Sequence, residues 1–233
     1  MEEYIVNILK GSVLTMEVAL GSLAVAVVLG LLGATAKLAQ SKPLNWLAGI
    51  YSTVIRGIPD LVLMLLIFYG GQILLNKGLE LVGYEEYIEI NPFLAGVLTI
   101  GFIYGAYMTE TFRGAIMAIP KGQMEAGYAF GMSKSRVFFH ITVPQMIRLA
   151  LPSFTNNWLV LIKATALVSI LGLPDMTMLA KQAASAARDV TPLAPMLFFL
   201  FTGAIYLAIT TVSLIVLKQL DKRYSMGVRR GEF

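Results

Sequence analysis

Residues 125–144 read EAGYAFGMSKSRVFFHITVP, and this stretch decides how the rest of the chain is interpreted. Its spacing predicts a short helix, a glycine turn and a second short helix that ends at Pro144. Glu125 is placed near a helix start, where a carboxylate interacts favourably with the positive end of the helix dipole. Gly131 allows the left-handed backbone conformation that closes a helix. The stretch is therefore predicted to form a helical hairpin.

The second helix of this hairpin has two different faces. The basic face carries Lys134, Arg136 and His140, and the apolar face carries Val137, Phe138 and Ile141. An amphipathic helix needs a surface on which to lie, either lipid headgroups or a protein partner. We expect the single histidine on this helix to be exposed at the surface rather than catalytic.

The composition of the chain indicates a membrane protein. Of the 233 residues, 57% are apolar and only 14% are charged, and the mean hydropathy is +0.74. Soluble domains have roughly 45–50% apolar and about 25% charged residues. Disorder requires low hydrophobicity and high net charge. Both a soluble globular domain and a disordered chain are therefore excluded.

The side chains that bind metals or form nucleophiles are scarce. The chain has no cysteine and one histidine, so a disulfide framework, a thiolate site and a histidine cluster are all excluded. We expect neither a metal site nor catalytic residues. No motif supports nucleic-acid binding, although the net charge is +4.

Five regions are long and apolar enough to cross the hydrocarbon layer, which takes about 20 residues of helix. They are residues 18–36, 43–76, 91–109, 149–173 and 190–217. The acidic extreme N-terminus argues against a cleaved signal peptide. No repeat or linker divides the chain, so residues 1–233 are predicted to be one all-α membrane domain of five helices.

The second of these regions is longer than one crossing requires. About 34 residues at roughly 1.5 Å each exceed the hydrocarbon thickness of about 30 Å. The segment Arg56-Gly57-Ile58-Pro59-Asp60 interrupts the region. Gly57 and Pro59 are predicted to kink or break the helix there, as occurs where transporter helices line a binding site.

The distribution of Lys and Arg predicts the orientation in the membrane. An outside N-terminus and a cytoplasmic C-terminus leave only Lys10, Lys77, Lys181 and Arg188 in the outer segments. Eleven of the 18 basic residues then lie on the inner side: Lys37, Lys42, Lys121, Lys134, Arg136, Arg148, Lys218, Lys222, Arg223, Arg229 and Arg230. The basic tail is expected to anchor the chain on anionic headgroups.

The hairpin stretch resembles the signature loop of permease subunits of bacterial ABC importers. That pattern is Glu-Ala-Ala, three residues, Gly, nine residues, Ile-x-Leu-Pro. The matching residues are Glu125, Ala126, Gly131, Ile141 and Pro144. Gly127 replaces the second alanine of the pattern and Val143 replaces its leucine.

Further motifs resemble the polar amino acid branch of this family. They are RGIP at 56–59, GAYMTETFRG at 105–114 and IPKGQ at 119–123. The resemblance covers nearly the whole chain, from Gly11 to Val228. It is closest to the Q-type permeases of histidine/lysine/arginine/ornithine and arginine importers.

The resemblance implies a fold and a set of partners. The fold is the transmembrane domain of a type I ABC importer in the bacterial inner membrane, with a cytoplasmic coupling loop at about 120–151 seated on an ATPase subunit. Expected partners are a homologous permease subunit (a heterodimer, with a homodimer possible), two ATP-binding cassette subunits and a periplasmic amino-acid-binding protein. The chain itself has no Gly-x-x-x-x-Gly-Lys-[Ser/Thr] loop. ATP is therefore used by the partner ATPase, and this chain is a transporter subunit rather than an enzyme.

Five ionisable residues lie within hydrophobic regions, where charges are costly and usually face an interior or a water-filled cavity. They are Arg56, Asp60, Glu110, Arg113 and Lys163. A carboxylate at Asp60, near the middle of the second region, suits the cationic end of a basic amino acid. Its alternatives are a salt bridge to Arg56 or capping of the half-helix after Pro59.

The other intramembrane charges leave several roles open. Glu110 and Arg113 are spaced i, i+3 and can pair, so Glu110 is either a substrate contact or part of a gating or structural ion pair. Tyr104 and Tyr107 lie one turn apart and either line the same cavity or pack between helices. Lys163 has three readings, namely snorkelling, pairing with Glu110 or binding a substrate carboxylate.

The resemblance thus implies a permease subunit of an ATP-driven importer for histidine, arginine, lysine and ornithine. The alternative within the class is a homodimeric permease, either for arginine or for neutral polar amino acids. A secondary transporter driven by an ion gradient would explain the intramembrane charges, but it would not explain the signature hairpin.

Overall fold

The computed structural model describes residues 2–84, 86–188 and 192–225, and within these ranges the chain is helical and contains no strand. A π-helical turn at Phe138–Thr142 and a 3₁₀ segment at Thr165–Leu171 complete the helical structure. The helices are α1 (Glu2–Leu38), α2 (Lys42–Gly57), α3 (Asp60–Leu81), α4 (Pro92–Met117), α5 (Lys121–Ala129), α6 (Lys134–Val137), α7 (Val143–Ala164), α8 (Met176–Ala186) and α9 (Ala194–Ser225).

Five helical stretches of the described chain are long and apolar enough to cross a membrane, which confirms the predicted number. They are Glu2–Leu38, Asp60–Leu81, Pro92–Met117, Lys134–Leu171 and Ala194–Tyr224. The predicted bounds were less accurate. The first helix begins at Glu2 rather than at residue 18, and the start predicted at Val190 lies outside the described residues.

The break predicted in the second region is present. Ile58 has φ −110° and ψ 139° because a proline disfavours the helical conformation in the residue before it. Pro59 is also extended, and Asp60 is the first residue of α3. Asp60 therefore begins the helix that follows the break, directly after Pro59, as the sequence predicted.

The core is built around α4, which is buried against α1 along most of its length. Small residues allow the close approach. A Cβ at Gly30 would lie 2.4 Å from Met108 Cβ, and a Cβ at Gly33 would lie 2.2 Å from Thr109 Oγ1. Tyr51 of α2 donates to the carbonyl oxygen of Phe102 at 2.6 Å. Helix α4 is thus the central helix, against which α1 and α2 pack.

The hairpin differs from its prediction in two respects. Helix α5 begins at Lys121, so Glu125 lies beyond its first turn and not near its start. The second helix does not end at Pro144 but runs through the π-helical turn into α7. Proline has no N–H and its ring clashes with the carbonyl four residues earlier, and the wider turn just before Pro144 accommodates this defect.

A short helix that was not predicted from the sequence, α8, packs against the N-terminal part of α1. Helix α8 and the start of α9 form a second apolar cluster with Ile8, centred on Met176 and Phe198. The Met176 N–H donates to Thr15 Oγ1 at 3.2 Å. These contacts hold the first part of α1 helical, which explains why that helix begins at Glu2.

Helix α9 is long and mostly exposed along its sides. In the most apolar stretch of α9, 6% of the residues are buried within the chain. Most of this helix is therefore exposed to lipid or available to another subunit. Lys218, Lys222 and Arg223 of the basic tail extend α9. Arg229 and Arg230 lie outside the described residues.

Candidate functional site

The carboxylate of Asp60 is held by α4. Tyr104 donates its hydroxyl to Asp60 Oδ2 at 3.0 Å, and the Tyr104 side chain is itself buried with 3% exposure. Tyr104 lies twelve residues after Pro92, which corresponds to about 18 Å along α4. The break before α3 therefore places a carboxylate roughly halfway along a helix that crosses the membrane.

Two stacked tyrosines connect Asp60 to Arg56. The ring centroids of Tyr104 and Tyr107 lie 5.5 Å apart with an interplanar angle of 29°. Arg56 Cζ lies 5.5 Å from the centroid of the Tyr107 ring, within the range of a cation–π contact. The acidic and the basic residue of the α2–α3 break thus face neighbouring rings on one side of α4.

A polar cleft opens beside this stack, between the end of α2, α4 and α7. Its volume is about 570 Å³. The lining residues are Arg56, Tyr107, Glu110, Thr111, Pro152, Ser153, Asn156 and Asn157. Asn157 donates to Thr111 Oγ1 at 2.9 Å, which fixes one wall. Of the predicted substrate contacts, Tyr107 and Glu110 line the cleft, whereas Asp60 and Tyr104 lie beside it.

Glu110 is the centre of an ion cluster. Its Oε2 lies 3.0 Å from Arg113 Nε, so the i, i+3 pair predicted from spacing is present. Its Oε1 lies 2.5 Å from Lys37 Nζ, and Lys37 also donates to Ser52 Oγ at 2.9 Å. The sequence analysis assigned Lys37 to an inner loop. Its partner is 73 residues away in sequence, so no local pattern could reveal this contact.

Two of the alternative pairings proposed from the sequence are absent. Among the described residues, no carboxylate oxygen lies within 4.0 Å of Lys163 Nζ, and the two oxygens of Glu110 contact Lys37 and Arg113. Arg56 and Asp60 form no salt bridge either. The described part of the chain also contains no group of three His, Asp or Glu side chains that could hold a metal ion.

The hairpin forms a compact, exposed unit. Gly131 has φ +79°, the left-handed conformation expected at this position. The Met132 N–H donates to the Gly127 carbonyl at 3.1 Å and the Gly131 N–H donates to the Tyr128 carbonyl at 2.9 Å. Gly127 is buried, and a Cβ there would lie 2.6 Å from Ile141 Cδ1. The glycine that replaces an alanine of the signature therefore lets the two halves of the hairpin pack closely.

The outer face of the hairpin carries exposed aromatic and signature residues. Phe130 has 89% exposure and Phe139 has 64%. Of the predicted coupling residues, Glu125, Ala126, Gly131 and Pro144 are exposed and Ile141 is half-buried. His140 is exposed, as predicted. Exposed aromatic rings beside a glycine turn are typical of a surface that binds a partner.

The membrane helices, the polar cleft and the exposed hairpin together define a transport subunit. The model of the family described as binding-protein-dependent transport system inner membrane component matches residues 26–226. The chain belongs to this family. It is therefore a transport permease subunit of the inner membrane and not an enzyme.

Two curated relatives match nearly the whole chain. The histidine/lysine/arginine/ornithine transport system permease protein HisQ of Escherichia coli (strain K12) is 50% identical over 225 residues, which cover 97% of this chain and 96% of the relative. The octopine transport system permease protein OccQ of Agrobacterium tumefaciens (strain Ach5) is 36% identical, with 97% and 93% covered.

A solved structure has the same fold. One chain of the crystal structure of an amino acid ABC transporter with histidines matches with a TM-score of 0.76 and 30% sequence identity, covering 96% of each chain. The fold is thus that of an ABC transporter transmembrane domain.

Proposed function

We propose that this chain is the permease subunit of an ABC importer for basic amino acids, in which Asp60 contacts the cationic side chain of the substrate. The observation that carries the proposal is the Asp60 carboxylate, which accepts the Tyr104 hydroxyl and has no Lys or Arg nitrogen of the described chain within 4.0 Å. A carboxylate at this depth is costly without a cation. A guanidinium, ammonium or imidazolium group would supply one.

The names of the relatives support this substrate class. HisQ is a permease protein of a histidine/lysine/arginine/ornithine transport system. OccQ is the permease protein of an octopine transport system. Neutral polar amino acids are the alternative, and they would bring no side-chain cation to Asp60.

The energy for import would come from a separate subunit. The coupling loop at about 120–151 contains the hairpin with its exposed signature residues. The exposed aromatic rings and the glycine turn of the hairpin suit a groove on a cytoplasmic ATPase. The proposed assembly contains this chain, a homologous permease subunit, two ATP-binding cassette subunits and a periplasmic amino-acid-binding protein. With the hairpin in the cytoplasm, the N-terminus lies outside and the C-terminus inside, in agreement with the distribution of basic residues.

The decisive variant is Asp60→Asn, which keeps the size of the side chain and its ability to accept the Tyr104 hydroxyl but removes the charge. Uptake of arginine, histidine and glutamine would be measured in vesicles that contain the complete transporter and its binding protein. We expect arginine uptake to fall about 10- to 100-fold, since a hydrogen bond to a charged group contributes about 1.5–3 kcal/mol. Glutamine uptake should not fall.

Glu89→Gln provides the matched control, because it makes the same carboxylate-to-amide change in the exposed segment before α4. Its arginine uptake should equal that of the wild type. Unchanged arginine uptake in Asp60→Asn would overturn the role of Asp60. Transport of glutamine in preference to arginine by the wild type would overturn the basic substrate class.

A further inference from the structure

We propose that Arg56 is the subsite for the α-carboxylate of the transported amino acid. This inference deepens the proposed function, since it adds an anion subsite to the cation subsite at Asp60. Arg56 lies in the last turn of α2, and its exposed side chain lines the polar cleft. No carboxylate oxygen of the described chain lies within 4.0 Å of its guanidinium nitrogens. A guanidinium in the cleft without a carboxylate partner remains available to an anion or to water.

The carboxylate that shares the cleft is not available to Arg56. Glu110 also lines the cleft, but one of its oxygens binds Lys37 and the other binds Arg113. Around the cleft there are three cations (Lys37, Arg56 and Arg113) against two anions (Asp60 and Glu110), so one positive charge is in excess. A substrate carboxylate would interact favourably with this excess positive charge at Arg56, while a basic side chain would meet the anion at Asp60.

The stacked rings of Tyr104 and Tyr107 lie between the two subsites. Arg56 lies against Tyr107, and Asp60 binds the hydroxyl of Tyr104. Tyr107 stacks on Tyr104 with ring centroids 5.5 Å apart, so the two rings lie in a row between the two charges. An amino acid with a basic side chain carries a carboxylate at one end and a cation at the other. The order Arg56, Tyr107, Tyr104, Asp60 matches that polarity across two rings.

The chemistry of the cleft also suits a carboxylate. A guanidinium binds a carboxylate with two parallel N–H···O bonds, which an ammonium cannot do. Ser153 and Asn156 line the same cleft and supply further uncharged donors. The Tyr107 ring holds the guanidinium in place without neutralising its charge. Arg56 is thus positioned but not paired, as a subsite for an anionic group requires.

The test compares an amino acid with its amide, which has the same side chain but lacks the negative charge. Binding of arginine and argininamide, and of glutamine and glutaminamide, would be measured by calorimetry on the complete transporter in nanodiscs, without the binding protein. We expect the wild type to bind arginine about 10- to 100-fold more tightly than argininamide. In Arg56→Gln this preference should fall to about twofold or less, through weaker binding of arginine.

Two further variants keep the result interpretable. Arg56→Lys retains the charge but loses the two-bond geometry, so its preference should lie between those of Arg56→Gln and the wild type. If Arg56→Gln cannot be isolated, Arg56→Lys decides the outcome. An undiminished preference of Arg56→Lys for arginine over argininamide then counts against the proposal. Asp60→Asn should weaken arginine and argininamide equally and leave their ratio unchanged.

The outcomes separate this inference from the basic substrate class. A preference for glutamine over glutaminamide that Arg56→Gln abolishes, together with no binding of arginine, supports the subsite and overturns the basic substrate. An undiminished preference in Arg56→Gln overturns the subsite. If that variant also fails to copurify with the partner permease, Arg56 pairs with a carboxylate of the partner instead.

Discussion

Lys37 at the end of α1 and Glu110 of α4 form an ion pair of 2.5 Å between helices that are distant in sequence. Glu110 simultaneously binds Arg113, and Lys37 donates to Ser52 of α2. The cluster therefore joins three helices at one end of the polar cleft. The sharing of one carboxylate between two cations makes Glu110, rather than either cation, the residue on which the cluster depends.

Removal of either partner of this pair should destabilise the protein, because the other charge is left half-buried. We expect Lys37→Met and Glu110→Gln each to lower the free energy of unfolding by about 1–3 kcal/mol. The double variant should cost less than the sum of the two. Thermal unfolding of the purified protein in detergent would measure this, with Lys42→Met at the exposed start of α2 as the control. Strict additivity would mean that the two residues are not coupled.

Helix α1 approaches α4 so closely at Gly30 that a methyl group does not fit. A Cβ there would lie 2.4 Å from Met108 Cβ and 3.0 Å from its backbone carbon. Gly30→Ala should therefore destabilise the protein by about 1–3 kcal/mol through overpacking. At Gly49, in α2, nothing lies within 4 Å of an added Cβ. Gly49→Ala should be neutral or stabilising by up to about 1 kcal/mol. Equal melting temperatures for the two variants would contradict the close packing.

The hairpin turn offers a test of coupling with a control for backbone strain. Gly131→Asp places a charged side chain at φ +79° on the exposed face of the hairpin. We expect the protein to insert and assemble but ATP hydrolysis to be uncoupled from uptake in reconstituted vesicles. Gly83→Asp makes the same change at φ +85°, in the turn after α3. That control should transport normally. Normal transport by Gly131→Asp would argue against the coupling role.

Asp175 caps the N-terminus of α8 from a fully buried position. Its carboxylate accepts the Met178 N–H at 2.9 Å and the Thr177 N–H at 3.1 Å. Loss of such a cap typically costs about 0.5–2 kcal/mol. Asp175→Ala should lower stability by that amount or more, whereas Asp175→Asn keeps a capping oxygen and should cost less. Equal thermal stability of the Ala and Asn variants would show that the cap contributes nothing.

The same residue gives a pH dependence with a definite sign. Burial raises the pKa of the Asp175 carboxyl above its ordinary value. The folded state therefore binds this proton more tightly than the unfolded state, so the contribution is present at low pH and is lost as the pH rises through the folded pKa. As the pH rises above about 4, the ordinary pKa of an aspartate, the wild type should lose stability relative to Asp175→Asn. Melting temperatures of both proteins across this range would measure the difference.

Local features could be predicted from the sequence because their causes are local. The break between Gly57 and Asp60 follows from a proline and the residue before it, and the turn at Gly131 follows from the conformational freedom of glycine. The i, i+3 pair of Glu110 and Arg113 follows from helix geometry. The number of membrane helices follows from the length of the apolar regions. None of these features needs a distant residue.

Composition, spacing and single backbone angles are thus enough to predict the membrane class, the five crossing helices and the signature hairpin. Which charges meet depends instead on the tertiary structure. The tertiary structure pairs Lys37 with Glu110, places Asp60 within hydrogen-bond distance of Tyr104 and leaves Arg56 without a carboxylate partner. These outcomes depend on how α1, α2, α3 and α4 pack side by side. Partners separated by dozens of residues leave no mark in a local pattern, because it is helix packing that brings them within hydrogen-bond distance.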